Sequence, residues 1–124
     1  MDFNGKGVVI TGAASGIGLA TASALAARGA HVMLSDIEAV ALERARGQVA
    51  ALATGGRIDA QVCDVSKLDQ VQALADAAFR RLGGVHVVFL NAGVGVSGPI
   101  TTMRHEDWQW VIGVNLWGAI HGAE

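Results

Sequence analysis

The run Thr11-Gly12-Ala13-Ala14-Ser15-Gly16-Ile17-Gly18 carries the most chemistry in this chain. Its three glycines stand after an apolar run and before a helical pattern, the context of a turn that must bring backbone close to a bound group. Gly12 lets the chain leave a strand sharply, Gly16 keeps a Cβ out of the way, and Gly18 lets the next helix pack tightly. N–H groups at such a helix start lack intrahelical partners and stand at the positive end of the helix dipole, so the group they suit is an anion, here a pyrophosphate. Thr11 feeds the turn, and Ser15 and Ile17 flank its second glycine.

Asp36 lies 18 residues beyond Gly18 (36 minus 18) and ends the second apolar run. That is close to the ~20-residue spacing at which a carboxylate accepts from the hydroxyl pair of a ribose. Its charge repels a 2′-phosphate, and neither Ser15 nor Ile37 offers a cation to counter it, so NAD is expected over NADP. Asp36 could instead cap a helix beginning near Glu38, and both uses remain open at this point.

Four short apolar runs rich in β-branched residues must carry these groups: Val8 to Thr11, His31 to Ser35, Ile58 to Cys63 and Val85 to Leu90. Helical patterns separate them, and near-continuous apolar strands alternating with helices argue for a parallel sheet covered on both faces. Leu42, Ala45, Val49 and Leu52 form the core stripe of one helix, and Leu68, Val71, Ala75, Ala78 and Leu82 that of the next, with Ser66 as its expected N-cap. Gly29, Gly55-Gly56 and Gly83-Gly84 fall where helices should stop. A last helix carries the apolar stripe Trp108, Val111, Ile112, Asn115, Ala119 and Gly122. Asn115 is the anomaly in that stripe, because a buried amide without partners costs ~1–3 kcal/mol.

Composition narrows the function classes. With 124 residues, 52% of them hydrophobic, the chain is one globular domain, residues 1–124, able to bury a core. A net charge of −2 with interspersed signs offers no basic stripe for nucleic acid and no polybasic patch for a membrane surface. The stretch from Arg81 to Arg104 holds no charge, but Gly83, Gly84, Asn91, Gly93, Gly95, Gly98 and Pro99 break it far short of the ~20 residues a bilayer requires. Cys63, the one cysteine, excludes an internal disulfide and reads as a buried thiol. His31, His86, His105 and His121 lack metal-site spacing, so no metal is expected. No signal peptide is visible, which makes a cytoplasmic location the expectation.

Thr-Gly-x-x-x-Gly-x-Gly at 11 to 18 resembles the signature of the short-chain dehydrogenase/reductase family, and later elements extend the likeness over nearly the whole chain. Asp64-Val65 is similar to the pair that contacts adenine in that family; otherwise Asp64 is a strand-end turn residue. Asn91-Ala92-Gly93 matches the family's element after the fourth strand, although Leu90 stands where a further Asn is common. Val114-Asn115 matches the family's Val-Asn pair, which gives Asn115 a part in the proton relay; by spacing alone it reads as a satisfied structural amide.

The resemblance implies a Rossmann-type, doubly wound parallel sheet of about four strands, an NAD-dependent oxidoreductase acting on an alcohol or ketone, and a homo-oligomer. It also exposes a gap. The family's catalytic Tyr and Lys come from a later helix, whereas this chain has no Tyr and no Lys after Lys67, and Ser97 reads as a plain loop residue. Because Glu124 falls within a helical pattern, the chain is expected to be the N-terminal half of such an enzyme and inactive alone. A non-catalytic NAD(H)-binding or sensing module and an inactive truncation product stand as alternatives. Trp108, Trp110 and Trp117 are expected to pack, either on this chain's core or against a second subunit.

Overall fold

The computed structural model describes residues 1–124. Its centre is a four-stranded, wholly parallel sheet of β1 (Gly7–Thr11), β2 (His31–Asp36), β3 (Ile58–Val62) and β4 (Val87–Phe89), in the order β3-β2-β1-β4. The helices α1 (Gly16–Ala26), α2 (Ala39–Leu52) and α3 (Leu68–Leu82) alternate with the strands. The expected α/β class is thus present, with chain order running outward from β1 in one direction and then crossing to its other side. This reversal puts a topological switch point between β1 and β4, where a crevice opens beyond the strand ends.

Two cores cover the sheet. Val8, Ile10, Val32 and Leu34 face α1 and α2, meeting Ala22, Leu25, Ala26, Leu42, Ala45 and Val49. Val9, Met33 and Cys63 face the opposite way, against Val71, Leu74, Ala77, Ala78 and Leu82 of α3. Every side chain of β1 is buried, as a central parallel strand requires. β4 is shorter than the run Val85 to Leu90 and pairs with β1 from Val8 to Ile10. At its approach, the Gly7 N–H donates to Nδ1 of His86 (2.9 Å), a side chain standing in for ladder pairing.

Several local expectations are corrected. Leu52 ends α2 half exposed, and in α3 Leu74 and Ala77 replace Leu68 and Ala75 in the buried stripe. Ser66 does not cap α3; Lys67 occupies that position, and the Ser66 hydroxyl turns back to Asp64. The last helix is not continuous. α4 (His105–Ile112) and α5 (Gly118–Ala123) flank a π-helical turn, Gly113–Trp117, and the wider turn rotates everything after it out of the 3.6-residue stripe. Trp108 and Ile112, before the turn, and Asn115, within it, face solvent, and beyond it Gly118 takes the buried position. Trp108, Trp110 and Trp117 are all exposed rather than packed on the chain's own core. No helix is long and apolar enough to cross a membrane.

Cys63 is buried as a free thiol. Burial pushes it up to about 11; the Ser35 hydroxyl, near it but outside hydrogen-bond geometry, offsets part of this, while Asp64 and Asp69 add to it. A folded chain that keeps a proton released from the unfolded thiol loses stability as pH rises. Urea midpoints should therefore fall between about pH 9 and about pH 11. Cys63→Ala should flatten that decline, and native Cys63 should stay unreactive toward a bulky aromatic disulfide until the chain unfolds.

Candidate functional site

At the carboxyl end of β1 the chain makes the turn that the glycines anticipated. Gly12 adopts φ +67° and Gly16 φ +57°, the left-handed region that glycine enters at least cost. A Cβ on Gly12 would come within 2.8 Å of Ala92 Cα, and one on Gly18 within 2.4 Å of the Gly12 carbonyl. Nothing lies within 4 Å of the corresponding point at Gly16, so the turn is open there. Ser15 occupies the N-cap of α1 without a side-chain cap bond, and Gly16, Ile17 and Gly18 follow as the first helical residues. Their N–H groups precede any intrahelical acceptor, leaving a set of free donors beside an open space.

The turn is tied to the end of β4. Thr11 Oγ1 accepts from the N–H groups of Asn91 and Ala92, both at 3.1 Å. In return, Asn91 Nδ2 donates to the carbonyls of Thr11 and Gly12, both at 3.2 Å. Asp36, at the end of β2, closes the opposite side: Oδ2 accepts from Ala14 N–H and Oδ1 from Glu38 N–H, each at 3.1 Å. Asp36 does not cap α2, whose N-cap is Glu38 without a side-chain bond, and the Oδ1 contact is a local turn; an ionised carboxylate has about four acceptor positions and two remain. Asp64 Oδ1 accepts from both the N–H and the hydroxyl of Ser66, at 3.0 and 2.7 Å.

These strand ends surround a cavity of about 560 Å³ lined by Gly12, Ser15, Ile17, Asp36, Ile37, Glu38, Cys63, Asp64, Val65, Asn91, Ala92, Gly93, Val94, Trp110 and Val114. Ten of the expected site residues thus share one wall system. Thr11, Gly16 and Gly18 do not line it: Thr11 and Gly18 are buried beneath the turn, and Gly16 lies at its exposed crest. Asp36, Glu38 and Asp64 are the only charged groups in the lining, so the site's attraction for an anion is confined to the α1 N-terminus.

Asn115 also lies outside the lining, and it is exposed rather than buried. Desolvation therefore does not account for its hydrogen bonds, which form all the same. Its Oδ1 accepts from Val94 N–H and its Nδ2 donates to Val94 O, both at 2.8 Å, so the π-helical turn grips the loop after β4.

The comparisons with known proteins match this geometry. Residues 6–124 fit the family model described as short chain dehydrogenase. A 1-deoxy-11-beta-hydroxypentalenate dehydrogenase of Streptomyces arenae is 40% identical over 117 residues, covering 93% of this chain and 41% of that protein. The chain belongs to the short-chain dehydrogenase/reductase family. Among solved structures, a family member from Burkholderia phymatum in complex with NAD superposes at TM-score 0.94 with 44% identity, covering 99% of this chain and 43% of that one. An NAD+-bound xylitol dehydrogenase superposes at TM-score 0.91 with 35% identity, covering 99% of this chain and 47% of that one. The chain spans about half the length of these relatives.

In this chain, Glu38, Cys63, Val94, Trp110 and Val114 reach the cavity without having been expected from sequence as site residues. Glu38 and Val94 adjoin residues that were. Trp110 and Val114 stand one helical turn apart, a signal hidden by the continuous stripe drawn through Trp108 and Asn115.

Removing the amide that joins the two strand ends should be costly. Asn91→Ala leaves the Thr11 and Gly12 carbonyls without that donor and is expected to lower urea-unfolding stability by ~1–3 kcal/mol. Asn115→Ala, at an exposed position, is expected to cost less than ~1 kcal/mol.

Proposed function

We propose that residues 1–124 form the cofactor-binding domain of an NAD-dependent short-chain dehydrogenase, whose full-length enzyme moves a hydride between nicotinamide and the carbon of a small alcohol or ketone. The observation that carries this reading is the single cavity shared by the glycine turn, Asp36-Ile37, Asp64-Val65 and Asn91-Ala92-Gly93. The residues present fit a dinucleotide: free N–H groups of Gly16, Ile17 and Gly18 for the pyrophosphate, the spare Asp36 acceptor positions for a ribose, and Asp64-Val65 for adenine. Thr11, Gly12 and Gly18 build the turn. Nicotinamide supplies the redox chemistry when bound; the chain's part is to bind and orient it. Asn115, through Val94, belongs to the relay end of the site.

For these 124 residues by themselves the proposal is binding without turnover, because no Tyr is present and no Lys follows Lys67. Relatives named as hydroxypentalenate and xylitol dehydrogenases support a hydroxyl-bearing substrate. The reading extends to a cytoplasmic homo-oligomer, which the exposed Leu116 and Trp117 support as a subunit contact.

NAD is preferred to NADP in this proposal because three carboxylates and no cation line the cavity. Titration calorimetry should find NADH bound at least ~10-fold tighter than NADPH, the ratio that about 1.4 kcal/mol of repulsion produces. Asp36→Arg should reverse the order; equal binding of both by the unaltered chain would remove the role given to Asp36.

A further inference from the structure

His121 has no role in the cofactor reading, and it does not line the cavity. Its Nδ1 lies 2.9 Å from the carbonyl oxygen of Val65, 56 residues away in sequence. A carbonyl only accepts, so Nδ1 carries the proton and donates. That carbonyl and the Ser66 N–H belong to one planar peptide unit. Its N–H end donates to Asp64 Oδ1 at 3.0 Å, so the plane is held at both ends, by the imidazole on one side and by the carboxylate on the other.

Two further contacts make this bracing specific. The Ser66 hydroxyl donates to the same Asp64 Oδ1 at 2.7 Å, which leaves Oδ2 without a protein partner. Gly118 sits against Val65 so closely that a Cβ there would come within 2.6 Å of Val65 Cγ2, so α5 packs flush on the loop that His121 holds.

We propose that His121 is a positioning residue for adenine recognition: by fixing the Val65–Ser66 peptide it orients Asp64 so that the free Oδ2 accepts from an exocyclic amine. This rests on the assignment of Asp64-Val65 to the adenine end of NAD. The ligand chemistry follows from the acceptor. An ionised carboxylate oxygen favours an amino group and disfavours a carbonyl at the same place, so adenine is selected over hypoxanthine.

Calorimetric titration with NADH and with nicotinamide hypoxanthine dinucleotide, in which a carbonyl replaces that amine, separates positioning from general support. The unaltered chain should prefer NADH. His121→Leu should weaken NADH about fivefold, the loss expected for one hydrogen bond of about 1 kcal/mol, and leave the hypoxanthine analogue nearly unchanged. His121→Asn, which restores a side-chain N–H donor, should recover most of the NADH affinity. If the leucine variant does not fold, His121→Ala carries the same comparison. Equal weakening of both dinucleotides, or no change in either, overturns the role of His121. An unaltered chain that binds neither dinucleotide overturns the cofactor reading itself and this role with it.

Discussion

Four hydrogen bonds between Thr11-Gly12 and the Asn91-Ala92 pair hold together the two strand ends on which the cavity depends. They form where β1 and β4 diverge, the point at which a parallel sheet runs out of ladder partners and the crevice begins. A buried hydroxyl accepting two N–H groups and an amide donating to two carbonyls satisfy backbone atoms that would otherwise be left unpaired. The glycines serve this junction as much as they serve a ligand. The turn can close onto Ala92 and Asn91 only because positions 12 and 18 carry no side chain.

From that junction the rest of the cavity follows as a set of braces on loop backbone. Asp36 holds Ala14 and the start of α2, Ser66 holds Asp64, Asn115 holds Val94, and His121 holds Val65. The segment from His105 to Ala123 therefore touches two separate loops at once, and the π-helical turn in its middle makes this possible. One wide turn changes the direction of the side chains after it, so that Asn115 reaches one loop while Gly118 and His121 reach the other. The lining's charged side chains are all acidic, so the favourable environment for a negative charge is left to main-chain donors at a single helix start.

Much of this was legible in the amino-acid order. Strand-helix alternation, the parallel class and the glycine turn rest on short-range properties, while the grouping of Asp36 with Asp64 and Asn91 came with the family resemblance. Apolar periodicity reports which face of an element is buried, and glycine spacing reports where backbone must take a positive φ or approach something closely. The errors have an equally local origin. Leu52, Leu68 and Ala75 continue a helical stripe that the packed surface does not continue, and Ser66 has the form of a cap but finds a nearer carboxylate in Asp64.

By itself, the sequence determined the element types, the glycine turn and the family, because each is encoded within a few consecutive residues or repeats at a fixed period. Only the tertiary structure decided which side chains hold the loops. Asn91 meets Thr11 across 80 residues and His121 meets Val65 across 56, distances over which sequence spacing carries no geometric information. The exposure of Asn115 was hidden for a related reason: a π-helical turn shifts the angular position of residues within and after it, and a reading at 3.6 residues per turn has no means to register the shift.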